Sequence, residues 1–190
     1  MSIAVVRCFV LGLALAGGTV GTAGAMTVDE LQRLLQSVPV RDVPFDEVRE
    51  SPWLSAPVQS RGTMSSNSER LEKRVVSPRP ETWRLWSDRM EWVSADGAAR
   101  KQILFSQSPA VAALADALRH VVAGDLAALE RNFSVTLAGD ERLWTVQLQP
   151  RAVDLARHLE HLELQGSRAH LQVIIVLERG GERTTTRLHH

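Results

Sequence analysis

Residues 70–94 read RLEKRVVSPRPETWRLWSDRMEWVS. Apolar and charged side chains alternate there in short runs, a period of two that marks strands rather than helices. Ser77-Pro78-Arg79-Pro80 and Ser87-Asp88 interrupt the runs, because proline sets turn dihedrals and removes a ladder donor. The spacing predicts strands over 70–77, 82–87 and 89–94. Upstream the same period gives 45–50 and 57–65, with turns at Ser51-Pro52 and Asn67-Ser68; downstream it gives 99–107 after the Asp96-Gly97 turn.

The period then changes. Pro109 suits a first helical position, and Val111, Leu114, Ala115, Leu118 and Val121 or Val122 fall on one face of a helix that Gly124 ends. Asp125 caps a short helix through Leu126 and Leu129. Alternation resumes in the strands beginning at Phe133 and Leu143, then over 161–165, 170–179 and 182–188, with a helical turn over Asp154 to His158. The last of these, rich in threonine, is expected to be an exposed edge strand. Before all of this, Thr27 and Glu30 form a capping box for an amphipathic helix carrying Leu31, Leu34, Leu35 and Val38, closed by Pro39.

The pattern predicts an α+β, mainly β protein: one antiparallel sheet of ten or eleven strands, interrupted by helices. So wide a sheet curls toward a barrel rather than staying flat. Alternation nominates Trp83, Leu85, Phe133, Val135, Leu137, Trp144, Val146, Leu148, Leu162, Leu164, Val173, Ile175 and Leu177 for its concave face.

Residues 1–25 read as a cleavable export signal: Arg7, an apolar run from Cys8 to Ala16, then Ala23-Gly24-Ala25 before the cut. The expected mature domain is therefore 26–190, exported and cysteine-free, with a bacterial periplasm as the simplest location. Lys+Arg and Asp+Glu are equal at 22 each, which argues against a generic nucleic-acid binder. G-x-S-x-G, S-x-x-K, H-E-x-x-H and phosphate-loop patterns do not occur, so no catalytic residue is assigned. His158 and His161 are three apart, yet no cysteine or acidic partner completes a zinc set, so no metal or cofactor is assigned either. Arg70, Lys73, Arg74, Arg79 and Arg84 alternate with Glu69, Glu72 and Glu81 and read as a solvated outer face, with a docking surface for an acidic partner as the alternative. Among the five tryptophans, Trp83 and Trp86 cannot share one side of a strand, and one of that pair, or Trp53 in a Ser-Pro-Trp-Leu loop, is a candidate for an entrance.

The order of elements resembles the LolA family of periplasmic lipoprotein carriers. An opening amphipathic helix is followed by an F-x-E-x-R strand (Phe45, Glu47, Arg49), a strand with Gly62, and R-L-x-x-R (Arg70, Leu71, Arg74) ending at Pro78. Val122-Ala123-Gly124-Asp125-Leu126-Ala127-Ala128-Leu129, then Phe133, Trp144 and Leu148-Gln149-Pro150, is similar to LolA-related proteins. The resemblance implies an unclosed β-barrel of about eleven strands lidded by helices, whose apolar concave face receives acyl chains of a lipoprotein or other lipid without reaction. It also implies an inner-membrane exporter as donor and an outer-membrane acceptor, and a monomer is expected. Where LolA has an Arg-Pro pair after the glycine, this chain has Ser68-Glu69, so the lid-tying arginine has no direct counterpart. The alternative is a non-enzymatic envelope interaction module or accessory subunit of a lipid exporter, its cavity filled by its own side chains.

Overall fold

The computed structural model describes residues 26–190; the export signal expected over 1–25 lies outside the described residues. Helix α1 (Val28–Ser37) opens the domain, and its capping box is formed: Glu30 N–H donates to the Thr27 hydroxyl, and Thr27 N–H donates to the Glu30 carboxylate. Six strands follow: β1 (Val43–Glu50), β2 (Val58–Ser66), β3 (Leu71–Ser77), β4 (Glu81–Leu85), β5 (Arg89–Ser94) and β6 (Arg100–Leu104). A 3-10 turn at Phe105–Gln107 leads to α2 (Pro109–Ala123) and α3 (Leu126–Leu129). The chain then forms β7 (Phe133–Gly139), β8 (Trp144–Pro150), α4 (Val153–Ala156), β9 (Leu159–Ser167), β10 (His170–Glu178) and β11 (Arg183–Leu188).

All eleven strands belong to one antiparallel sheet of order β6-β5-β4-β3-β2-β1-β11-β10-β9-β8-β7. Two meanders, each built of neighbours in sequence, are joined where β1 pairs with β11. The ends, β6 and β7, are not paired with one another, so the barrel is unclosed, and the connection between them carries α2 and α3. Strand β11 is therefore central, hydrogen-bonded to β1 and β10, and not the edge that its threonines suggested. Threonine is β-branched and fits a central strand equally well, and Thr185 and Thr186 are both buried. Strand β6, exposed along its length, is one true edge, with Arg100 and Lys101 among its residues.

Helix α1 packs on α3 and β10, while α2 packs on α3, α4, β2 and β4, so the helices fill the concave side. The junction of α2 with α1 depends on Gly124, which ends α2 in the left-handed region (φ +71°). A Cβ there would stand 2.7 Å from that of Leu35. Gly124→Ala is expected to cost about 2 kcal/mol, combining left-handed strain with overpacking, and urea unfolding reads it directly.

Candidate functional site

The two meanders treat their inner faces differently. In the second, Phe133, Trp144, Val146, Leu148, Leu162 and Leu164 are at most 1% exposed and form part of one packed cluster with Leu31, Leu126 and Leu129 of the helices. Val135 and Leu137 pack against the same cluster, partly buried. These side chains of β7, β8 and β9 fill the space between the sheet and the helices, as apolar strands facing apolar helices do.

The first meander leaves a cleft of about 360 Å³ beneath α2. Met64, Leu71, Trp83, Leu85 and Met90 form one wall, Leu114, Leu118 and Val122 of α2 the roof, and Ile174 and Val176 of β10 the opposite wall. Of the thirteen residues nominated from sequence, only Trp83 and Leu85 line it. Met64, Leu71, Met90 and the α2 residues were missed as lining, although alternation on β2, β3 and β5 and the helix face of α2 carried the signal. The second meander is the more apolar of the two, and strong apolarity marks filled core rather than open wall.

Three nominations are on the wrong face. Val173, Ile175 and Leu177 share rungs with Gln165, Glu163 and His161 of β9 and with Arg187, Thr185 and Arg183 of β11, on the outer side. The register shifts between Leu171 and Val173, so the extra residue at Gln172 moves each later side chain to the opposite face. Leu171, before the extra residue, and Ile174 and Val176, after it, point inward.

Trp83 is held in position by Glu81, whose carboxylate accepts from the indole N–H of Trp83 at 2.8 Å and of Trp92 at 2.7 Å. The two rings are tilted at 58° with centroids 6.5 Å apart, a favourable aromatic arrangement. Trp86 lies outside β4, with the Arg89 guanidinium over its ring at 4.2 Å. Trp53 is 87% exposed and does not line the cleft.

Strand β1 grades the cleft from apolar to polar. Phe45 is buried in the core, Glu47 comes next on the same face, and Arg49 lies at the solvent end. Both oxygens of Glu47 accept from Lys73 Nζ at 2.6 Å, and one also accepts from the Thr186 hydroxyl at 2.7 Å. Lys73 thus leaves the outer basic face where the sequence put it and points inward, over Phe45 at 5.1 Å. Arg74 and Arg84 do remain outside, bonded to Glu72 at 3.0 and 2.9 Å. Side-chain exposures of 22% for Lys73 and 13% for Glu47 make this a largely desolvated pair. Lys73→Met is expected to cost about 2–3 kcal/mol by stranding the carboxylate, and Glu47→Leu added to it to recover most of that loss. Chemical denaturation of the two singles and the double closes the cycle.

At the solvent end Arg49 donates to Glu182 at 2.8 and 3.0 Å, which holds the guanidinium pKa above its usual range. Burial, then the neighbouring Glu182 charge, raises the pKa of Glu178, against weaker opposing effects of Arg49 and His158. A carboxyl raised in the folded state favours folding most below its unfolded pKa and loses that contribution as pH rises through the folded value. His158 borders a second, adjoining cleft with Val111 and Leu155, and no three His, Cys, Asp or Glu side chains cluster at metal-binding spacing among the described residues. No helix among those residues is long and apolar enough to cross a membrane.

Among known protein families, one described as "Outer membrane lipoprotein carrier protein LolA-like" matches residues 20–189. Among solved structures, a LolA superfamily protein from Nitrosomonas europaea is similar at 12% identity and a TM-score of 0.44, over 87% of this chain and 93% of that one. An uncharacterized conserved protein from Thermus thermophilus is similar at 7% identity and a TM-score of 0.44, over 86% of this chain and 85% of that one. No curated protein matches the sequence.

Proposed function

The chain belongs to the LolA-like outer membrane lipoprotein carrier family, and from that premise we propose that it is a non-enzymatic carrier of acyl chains in the periplasm. The observation that carries this reading is the cleft beneath α2, apolar on both walls and roof and polar at its open end. An acyl chain entering it gains about 0.8 kcal/mol per buried CH₂, with no directional contact required. Its volume of about 360 Å³ is at the small end of ligand sites, which favours one inserted chain over several. In this reading an inner-membrane exporter loads the cleft and an outer-membrane acceptor empties it by offering the chain a better site. The Asn67 side chain accepts from the N–H groups of Glu69 and Arg70 at 2.9 Å, so Ser68-Glu69 serves a tight turn. The lid is held by the packing of α2 on α3, α4, β2 and β4.

Native mass spectrometry of the protein purified from a bacterial periplasm, with extraction and identification of bound lipid, tests the proposal. Co-purified acylated molecules are the expected result. A bare protein mass, together with no uptake of a fluorescent neutral acyl ester, would replace the carrier by an envelope interaction module.

A further inference from the structure

We infer that the polar end of this cleft is a head-group seat that accepts uncharged hydroxylated or cationic amphiphiles and rejects those ending in a free carboxylate. The inference rests on the carrier reading and adds the chemistry of the cargo to it. The seat is continuous with the apolar walls: on β10, Val176 lines the apolar part and Glu178, two residues on, lines the polar end. A chain lying against Met64, Leu71 and Leu118 therefore carries its head toward Glu178, Glu182, Arg49 and Thr184.

Three carboxylates line the cleft, Glu47, Glu178 and Glu182, against two cations, Arg49 and Lys73. Both cations are already engaged, Lys73 by both oxygens of Glu47 and Arg49 by both oxygens of Glu182. The remaining carboxylate, Glu178, has no side-chain hydrogen bond or ion pair among the described residues, and Thr186 is committed to Glu47. What the seat offers is therefore mainly acceptor capacity and net negative charge. A hydroxyl or ammonium head donates into it. A carboxylate head meets a like charge in a partly desolvated site and finds a cation only by breaking an existing pair, which strands that pair's glutamate.

The experiment compares binding of palmitate, monopalmitin and hexadecylamine, below their aggregation thresholds, to the wild-type protein and to Glu178→Gln. Mildly alkaline buffer keeps palmitate ionised and hexadecylamine protonated, so that the three heads differ in charge as the comparison requires. The expected result is that monopalmitin and hexadecylamine bind at least about tenfold more tightly than palmitate, about 1.4 kcal/mol. Glu178→Gln should shrink that gap to about threefold or less, mainly by improving palmitate binding. Equal affinities in the wild-type protein, or a preference for palmitate, would overturn the seat and leave the carrier standing. Binding of none of the three would overturn the seat and the carrier together.

Discussion

Replacing Trp144 by alanine is expected to remove about 4 kcal/mol of stability, more than any other single truncation in this core. The side chain is fully buried and belongs to the rung Gly139–Trp144–Gly166, flanked by a glycine on each neighbouring strand. A Cβ on Gly166 would collide with the Trp144 ring carbons and with the His170 carbonyl, so the indole occupies the space that a side chain would take. Its Nε1 donates to the Arg168 carbonyl at 3.0 Å, tying the ring to the β9–β10 turn, where Arg168 has φ +53°. Alanine would leave a cavity against the bare Gly166 backbone and an unpaired Arg168 carbonyl, and β9 cannot collapse into it without breaking its ladder. A loss of about 4 kcal/mol lowers Tm by about 10 °C or more for a domain of this size, and calorimetry measures it. Trp144→Phe separates the two contributions: it keeps most of the ring and should cost about 1–2 kcal/mol, chiefly for the lost hydrogen bond. Equal losses in the two variants would mean that the turn, and not the ring, governs this region.

The same rung shows what could be read in the sequence and what could not. Turn chemistry marked the strands well: Pro78 and Pro80 between β3 and β4, Asp96-Gly97 between β5 and β6, and Gly124 at the end of α2 are local signals, and the elements follow them to within a few residues. Trp86 and Phe105–Gln107 fell just outside the strands expected to contain them, because the turn closes earlier than apolarity alone suggests. The position of β11 was hidden for a different reason. Its pairing with β1 joins the two ends of the domain, and nothing in the residues near 185 encodes that closure. The site was hidden in the same manner. Lys73 reads as one of a run of basic residues until Glu47, from another strand, faces it. Side chains that looked most suited to an apolar lining, such as Leu148 and Leu162, were claimed by the helices, and the open cleft was left to the mixed strands where Met, Leu, Trp, Lys and Glu alternate.

Val176→Glu is expected to weaken acyl-chain binding about a hundredfold, about 2.7 kcal/mol, while Leu177→Glu, one residue later, leaves it within about threefold of wild type. The contrast follows from the extra residue at Gln172. Were β10 regular from Leu171 onward, Leu177 would face the cleft and Val176 the outside; with the register shifted, Val176 stands in the cleft wall above Ile174, and Leu177 shares its outer rung with His161 and Arg183. A glutamate at 176 projects a charge into the path of the chain, beside Glu178 and Glu182, where repulsion adds to desolvation. A glutamate at 177 meets Arg183 and solvent, and the partly buried leucine it replaces is not part of the central cluster. Fluorescence displacement with a neutral acyl ester measures both, and circular dichroism establishes that each variant folds. Loss of binding in Leu177→Glu with none in Val176→Glu would invert the assigned faces and remove the cleft beneath α2 as the binding site. Retention in both would leave the cleft intact as geometry but place the acyl chain elsewhere in the protein.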